Sequence, residues 1–332
     1  MVGDAGTGAH GDAHGGEAYE AVVVGGGAAG LSAALVLGRS RRRTLVVDAG
    51  EPRNAPSAHM QGYLSRDGMS PADFLAVGRR EIAAYGVEWR SGEVTGAAPD
   101  GADGFVLTLA DGGTVRARRL VVTTGLVDEL PGIDGLADRW GRDVLHCPYC
   151  HGWEARDQPL GVVAHPAMPA HQALVVSRLS DDVTLFLHGA ELSERDAALL
   201  DAAGVRVVSG EVAGLVVTDD RLTGVRLADG RVVERSVVFA GAKRLAARDG
   251  VLRQLGADLR ETPFGEFVVV DETGRTSVPG VWAAGNVTGP TEQVVNAASL
   301  GYRAAVALNG ELLMTDLEAK AGATGGEAGL VA

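Results

Sequence analysis

Apolar residues along this chain change rhythm several times. Tyr19–Val24 is a short β-branched run. After Gly25-Gly26-Gly27-Ala28-Ala29-Gly30, the positions Leu31, Ala34, Leu35 and Gly38 recur at helical spacing. Residues 44–47 form a second buried run that ends on Asp48, so the opening reads strand, glycine turn, helix, strand. Further strands are predicted at 87–90, at 105–109 and 115–118 as a hairpin across Asp111-Gly112-Gly113, and at 120–123. A second strand–helix–strand module begins at 160, with strands over 160–164 and 183–187 flanking a helix around 170–178. Strands at 205–208, 215–218, 224–227 and 237–240 follow it. Near the C-terminus, 280–286 reads as a strand running into a polar turn, and 292–308 as a helix.

This order predicts an α/β fold of two Rossmann-like domains, and 332 residues are enough for each to bury its own core. The first is expected to be discontinuous, 18–125 and 245–316, with 126–244 inserted. Residues 1–17 and 317–332 lack apolar periodicity and are expected as disordered tails. No apolar run of about 18 residues occurs, and the start lacks a basic-then-apolar order, so a cytoplasmic chain without a membrane span is expected. A net charge of -13 argues against nucleic acid or an anionic membrane as partner, because both require clustered cations. The one basic cluster, Arg39, Arg41, Arg42 and Arg43, reads as a solvated helix end rather than a phosphate contact.

The glycine turn carries the first chemistry. In Gly25-x-Gly27-x-x-Gly30 the first glycine makes a tight turn, the second lets backbone approach a diphosphate, and the third admits helix against strand. Asp48, 18 residues beyond Gly30, is placed for ribose hydroxyls. Strand, helix and terminal acid together predict a dinucleotide site.

The only two cysteines form Cys147-Pro148-Tyr149-Cys150. Such a pair can cycle between dithiol and disulfide with little backbone movement, and a thiolate at a helix start is a better nucleophile at neutral pH. His146 and His151 flank the pair as proton carriers. A glutaredoxin reading fails because a nucleotide module precedes the cysteines. A zinc site would need ligands on adjacent residues and a second ligand pair from elsewhere, so no metal is expected. His165, His171 and His188 read as surface histidines, and Trp140, Trp153 and Trp282 as core, with Trp153 close enough to the cysteines to line a pocket.

With these motifs in order, residues 18–315 resemble the low-molecular-weight thioredoxin reductases. The resemblance implies non-covalent FAD in the first domain, an NADPH-type second domain carrying the cysteines, and a homodimer. Besides the glycine turn and Asp48, Thr123-Thr124-Gly125 and Ala283-Ala284-Gly285-Asn286 match, with Asn286 standing where Asp usually meets the ribityl chain. Carried over by position, flavin contacts fall on Gly25, Gly27, Ala28, Ala29, Gly30, Asp48, Ala49, Arg53, Asn54, Val94, Thr124, Gly125, Gly285, Asn286, Gln293 and Val294. Arg53 and Asn54 are expected near the phosphates.

The second module departs from that family. Its turn reads Gly161-Val162-Val163-Ala164-His165-Pro166-Ala167-Met168-Pro169, where side chains fill close-approach positions and each proline removes an amide donor. After the next strand comes His188-Gly189-Ala190-Glu191, an acid where a 2'-phosphate needs cations. NADPH is therefore not expected. Cys150-His151-Gly152-Trp153-Glu154 and 48–54 are similar instead to the dithiol oxidases of natural-product pathways, which close the disulfides of gliotoxin and of dithiolopyrrolones such as holomycin. That branch implies O2 as acceptor and a small dithiol as substrate. By analogy Cys147 is the interchange thiol and Cys150 the one against the flavin. His151 is the first candidate for the base and His146 the second, since imidazole titrates near neutrality. Two rivals stay open: an NADPH-fed (or otherwise fed) thioredoxin-disulfide reductase, and a flavin redox sensor without turnover.

Overall fold

The computed structural model describes residues 18–101 and 103–327. The expected tail at 1–17, and 328–332, lie outside the described residues. In chain order the first half contains β1 (Tyr19–Val24), α1 (Ala28–Arg39), β2 (Thr44–Asp48), α2 (Pro71–Ala83), β3 (Glu88–Ser91), β4 (Val94–Pro99), β5 (Phe105–Leu109), β6 (Thr114–Val122), β7 (Leu126–Glu129), α3 (Leu136–Arg139), β8 (Val144–Leu145) and α4 (Pro148–His151). Then come β9 (Leu160–Val163), α5 (His171–Val176), β10 (Val183–Phe186), α6 (Glu194–Ala202), β11 (Arg206–Val208), β12 (Val212–Thr218), β13 (Arg221–Leu227), β14 (Val232–Glu234) and β15 (Val237–Ala240). The chain closes with β16 (Arg244–Ala247), α7 (Gly250–Gln254), β17 (Leu259–Thr262), β18 (Gly265–Val268), β19 (Val281–Ala283) and α8 (Val294–Glu327).

Seven strands make the first sheet, ordered β3-β2-β1-β6-β5-β4, with β19 beside β6. Val22, Val24, Leu45 and Val47 face one core, and Ala21, Val23 and Val46 face the other. Burial on both faces is why these strands read as continuous apolar runs. The second core is closed by Leu31, Ala34 and Leu37 of α1 and by Ala304, Leu308 and Leu312 of α8. A second sheet, β11-β10-β9-β15-β8, is parallel throughout. Between the two sheets the chain passes through the ribbon of β7 and β16.

Three differences from the sequence reading have identifiable causes. The strands predicted at 115–118 and 120–123 are one, β6: no turn residue separates them. The strand pairs β5 over its first half and β19 over its last. Arg119 inside it is buried, yet its guanidinium meets Asp103 at 2.7 Å and Glu311 at 2.8 Å, which satisfies the charge. The tail expected from 317 instead continues as helix to Glu327. Leu317, Glu318, Ala319 and Lys320 are strong helix formers, and Asp316 is tied to Arg42 and Arg118 at 2.9 and 2.8 Å. Arg42 thus belongs to an internal ion cluster with Glu20 and Asp316, not to a solvated end.

Candidate active site

The first glycine turn is built by the protein at three positions and left open at a fourth. A Cβ on Gly25, whose φ is +103°, would stand 2.6 Å from the Thr123 carbonyl oxygen. On Gly26 it would meet the Trp89 ring at 2.3 Å, and on Gly30 the Gly25 carbonyl at 1.9 Å. On Gly27 it would meet no protein atom within 4 Å. Gly27 is also the N-cap of α1, where no side chain caps the helix and no acid occupies the first turn. The first amides of that helix therefore face open space, as a diphosphate requires. Asp48 accepts a hydrogen bond from the Gly26 amide at 2.8 Å, which fixes its carboxylate beside the turn.

From this turn a cavity of about 790 Å³ runs to the cysteines. It is lined by Gly25, Gly27, Ala28, Ala29, Asp48, Ala49, Arg53, Asn54, Val94, Thr124, Gly125, Gly285, Asn286, Gln293 and Val294, together with Cys147, Cys150, His146 and His151. Of the residues expected at the site, Gly30 alone stands behind this wall. Its size and the open α1 terminus suit an FAD. Some partners differ from expectation. The Arg53 guanidinium is spent on a bidentate pair with Asp128, at 2.7 and 2.8 Å, rather than free for phosphate. Asn286 donates to the Gly289 carbonyl at 3.1 Å. The start of α8 reaches the cavity because Gly301 lets α8 cross α1: a Cβ there would lie 1.9 Å from the Ala29 carbonyl oxygen.

Cys147 and Cys150 are joined as a disulfide. Gln293, at the head of α8, spans both sulfurs, its Nε2 3.6 Å from Cys147 Sγ and its Oε1 3.1 Å from Cys150 Sγ. The helix after Cys147 is a single turn, so it offers little of the dipole that the sequence suggested. The two histidines have unlike surroundings. His146 is mostly buried with Nδ1 unpartnered, and burial, then the Arg53 charge, lower its pKa against the opposing pull of Asp128 and the Ala240 backbone. His151 places Nε2 2.8 Å from Ser57 Oγ and 3.3 Å from the His59 carbonyl oxygen. Glu292 also lines the cavity, and burial pushes its carboxyl pKa up, partly offset by Arg303.

Sequence reasoning missed Ser57, His59, Asp128 and Glu292 at this site. Ser57 and His59 lie in no periodic segment, the resemblance at 48–54 stops three residues short of Ser57, and Asp128 and Glu292 reach the site through partners that only folding brings together. Of the tryptophans, Trp282 is fully buried and Trp140 lies half-buried beside His146, but Trp153 is 68% exposed under Arg156, whose guanidinium sits 4.1 Å from its ring centroid. Trp153 stands in the turn that follows α4, outside the helix. Tyr149 is 79% exposed. Among the described residues no group of three or more His, Cys, Asp and Glu could hold a metal ion.

The second turn is closed by its own groups. The Ala164 amide bonds the Phe186 carbonyl at 2.9 Å, the Ala167 amide bonds His165 Nδ1 at 3.2 Å, and the Met168 amide bonds the His165 carbonyl at 3.0 Å. Pro166 and Pro169 have no amide to give. Past β10, His188 uses Nδ1 to accept the Val212 amide at 3.0 Å.

Two nucleotide-type sheets with a redox-active cysteine pair at the end of a flavin-sized cavity define a flavin-dependent disulfide oxidoreductase. Residues 19–301 match the pyridine nucleotide-disulphide oxidoreductases, and the chain belongs to that family. It is similar to thioredoxin reductase tcpT of Claviceps purpurea, 33% identical over 305 residues covering 89% of this chain and 94% of the relative. Thioredoxin reductase sirT of Leptosphaeria maculans is 31% identical, covering 91% and 97%. Among solved structures, HlmI has a TM-score of 0.90 at 48% identity, covering 96% of this chain and all of that one. An oxidoreductase from Agrobacterium tumefaciens has 0.85 at 36%, covering 90% and 99%. The chain is thus an FAD-dependent disulfide oxidoreductase of thioredoxin reductase-like fold.

Proposed function

We propose that the chain oxidises a small-molecule dithiol to its intramolecular disulfide, with O2 reduced to H2O2 and no nicotinamide in the cycle. The observation that carries this reading is the second turn, where the Ala164, Ala167 and Met168 amides are bonded to Phe186 and His165, Pro166 and Pro169 have no amide, and His188-Gly189-Ala190-Glu191 follows the next strand, whereas Gly27 leaves open space at the first helix start. Residues 18–125 with 245–316 form the FAD unit in this reading, and 126–244 the disulfide-bearing one.

One substrate thiolate attacks Cys147 Sγ, forming a mixed disulfide and breaking the Cys147–Cys150 bond. The second substrate thiolate then attacks the substrate sulfur of that mixed disulfide, releasing the cyclic disulfide and leaving both cysteines reduced. His151 takes the substrate proton, and Gln293 keeps the two sulfurs in place. FAD held non-covalently along the cavity by the Gly25–Gly27 turn, Asp48 and the start of α8 would supply the two-electron oxidation that restores the Cys147–Cys150 disulfide, with the electrons and two protons leaving on O2 as H2O2. The balance is one dithiol and one O2 to one disulfide and one H2O2.

The stretch Cys150-His151-Gly152-Trp153-Glu154 supports a natural-product precursor of dithiolopyrrolone or epidithio type. A homodimer belongs to this reading, supported by the exposed Tyr302, Val306, Leu313 and Leu317 along one side of α8. So does a cytoplasmic setting; no helix among the described residues is long and apolar enough to cross a membrane. A second reading, thioredoxin-disulfide reduction, is favoured by the names of tcpT and sirT. Aerobic assay with a synthetic dithiol decides between them: equal yields of H2O2 and disulfide are expected, and disulfide reduction sustained by NADPH without peroxide contradicts the proposal.

A further inference from the structure

We propose that Ser57 and the His59 carbonyl hold His151 in the tautomer with hydrogen on Nε2, so that Nδ1 is the nitrogen that receives the substrate proton. The proton's origin rests on the dithiol-oxidase reading above; the tautomer is a property of the resting protein.

Ser57 Oγ lies 2.7 Å from the His59 carbonyl oxygen and 2.8 Å from His151 Nε2, and the same carbonyl is 3.3 Å from Nε2. A carbonyl can only accept, and a serine has one hydrogen to give. Two oxygens 2.7 Å apart need a hydrogen between them, so the serine hydrogen points to His59. Ser57 is then an acceptor toward Nε2, and Nε2 must carry the other hydrogen. In the reverse tautomer Ser57 would turn its hydrogen to Nε2. The His59 carbonyl would then face two atoms with nothing to donate.

The support behind this relay is closed. His59 Nδ1 meets the Gly68 carbonyl at 3.1 Å, the Gly68 amide bonds the Met60 carbonyl at 2.9 Å, and the Met60 amide bonds the Met69 carbonyl at 2.9 Å. Segment 57–69 is thereby a rigid anchor for the imidazole. Nδ1 of His151 makes no hydrogen bond among the described residues, and the ring lines the cavity that holds the disulfide. After a thiol proton moves to Nδ1, both nitrogens carry hydrogen, and the Nε2 contacts are unchanged. The relay therefore accommodates the resting base and its protonated form without moving. The proton later leaves in H2O2. His146, mostly buried, with its pKa lowered first by burial and with Nδ1 unpartnered, holds a proton less well.

Ser57 is a positioning residue, so its test reads nitrogen chemistry as well as rate. In protein labelled with 15N-histidine, long-range proton–nitrogen correlation at pH 8 is expected to show His151, assigned by its absence in His151→Gln, with protonated Nε2 and bare Nδ1. Ser57→Ala is expected to give a mixture of tautomers and lower kcat about tenfold at unchanged KM, with Ser57→Thr restoring both. A wild-type spectrum with hydrogen on Nδ1, an unaltered tautomer in Ser57→Ala, or an altered one at full rate would overturn the assignment. The wild-type spectrum decides even if Ser57→Ala fails to fold. Absence of peroxide in the wild type would contradict the dithiol-oxidase reading and leave the nitrogen assignment standing.

Discussion

At the end of β1 the chain turns on Gly25, Gly26 and Gly27 and enters a twelve-residue helix whose first amides are uncapped. At the corresponding end of β9 it turns on His165, Pro166, Ala167, Met168 and Pro169 and enters a six-residue helix. Both turns follow a buried parallel strand, so the sheets impose the same geometry on each. What differs is where the polar groups go. The first turn gives the Gly25 and Gly26 amides to Val47 and Asp48 but leaves open space at Gly27, the helix start; the second bonds the Ala164, Ala167 and Met168 amides to Phe186 and His165 and has two prolines and no glycine before its helix. In the proposed cycle the first turn serves as the cofactor cradle, the second does not, and electrons enter through sulfur.

The largest effect is expected at the cysteines. Cys147→Ser and Cys150→Ser should each lower dithiol turnover by about 10³-fold or more while the flavin spectrum persists, because the nucleophile or its redox partner is lost. Next is the cradle itself. Gly27→Val adds a side chain where no protein atom stands, at an extended φ of -73° that any residue adopts, so the chain should fold yet purify without flavin. Absorbance at 450 nm against 280 nm measures it, and retained flavin would place the diphosphate elsewhere. Gly301→Val is a structural contrast: its Cβ strikes the Ala29 backbone, and a loss of about 2–3 kcal/mol in urea unfolding is expected.

These glycines also show how much could be read without coordinates. Gly25, Gly27 and Gly30 are legible because the turn, the helix start and the strand that bracket them are contiguous in sequence. Gly26 is constrained by Trp89 and Asp48, and Gly301 by Ala29, partners that only folding brings together. The cysteine pair was legible for the same local reason. The contact that orients His151 was not, because Ser57 lies 94 residues away in a segment without periodicity. The tail expected after 316 failed for another reason: the first residues assigned to it are good helix formers, and long-range pairing of Asp316 with Arg42 and Arg118 lets the helix run on.

The smallest expected effect is on pH dependence. His146 and His165 both have pKa values lowered first by burial, so the unfolded chain binds more protons than the folded one as pH falls through the unfolded histidine value of about 6.5. Their stability contribution is complete above that value and declines below it. Urea midpoints should fall between pH 7.5 and 5.5, and the paired change of both histidines to Gln should flatten the slope. Glu292, whose carboxyl is pushed up from its ordinary value of 4.5, acts in the opposite sense at lower pH.

The contrast between the two turns is tested most directly by anaerobic stopped-flow reduction of the flavin, with a dithiol in one syringe experiment and NADPH in the other. Entry through Cys147 and Cys150 predicts bleaching by the dithiol at or above the turnover rate and none by NADPH on that timescale. Bleaching by NADPH at a catalytic rate would contradict it.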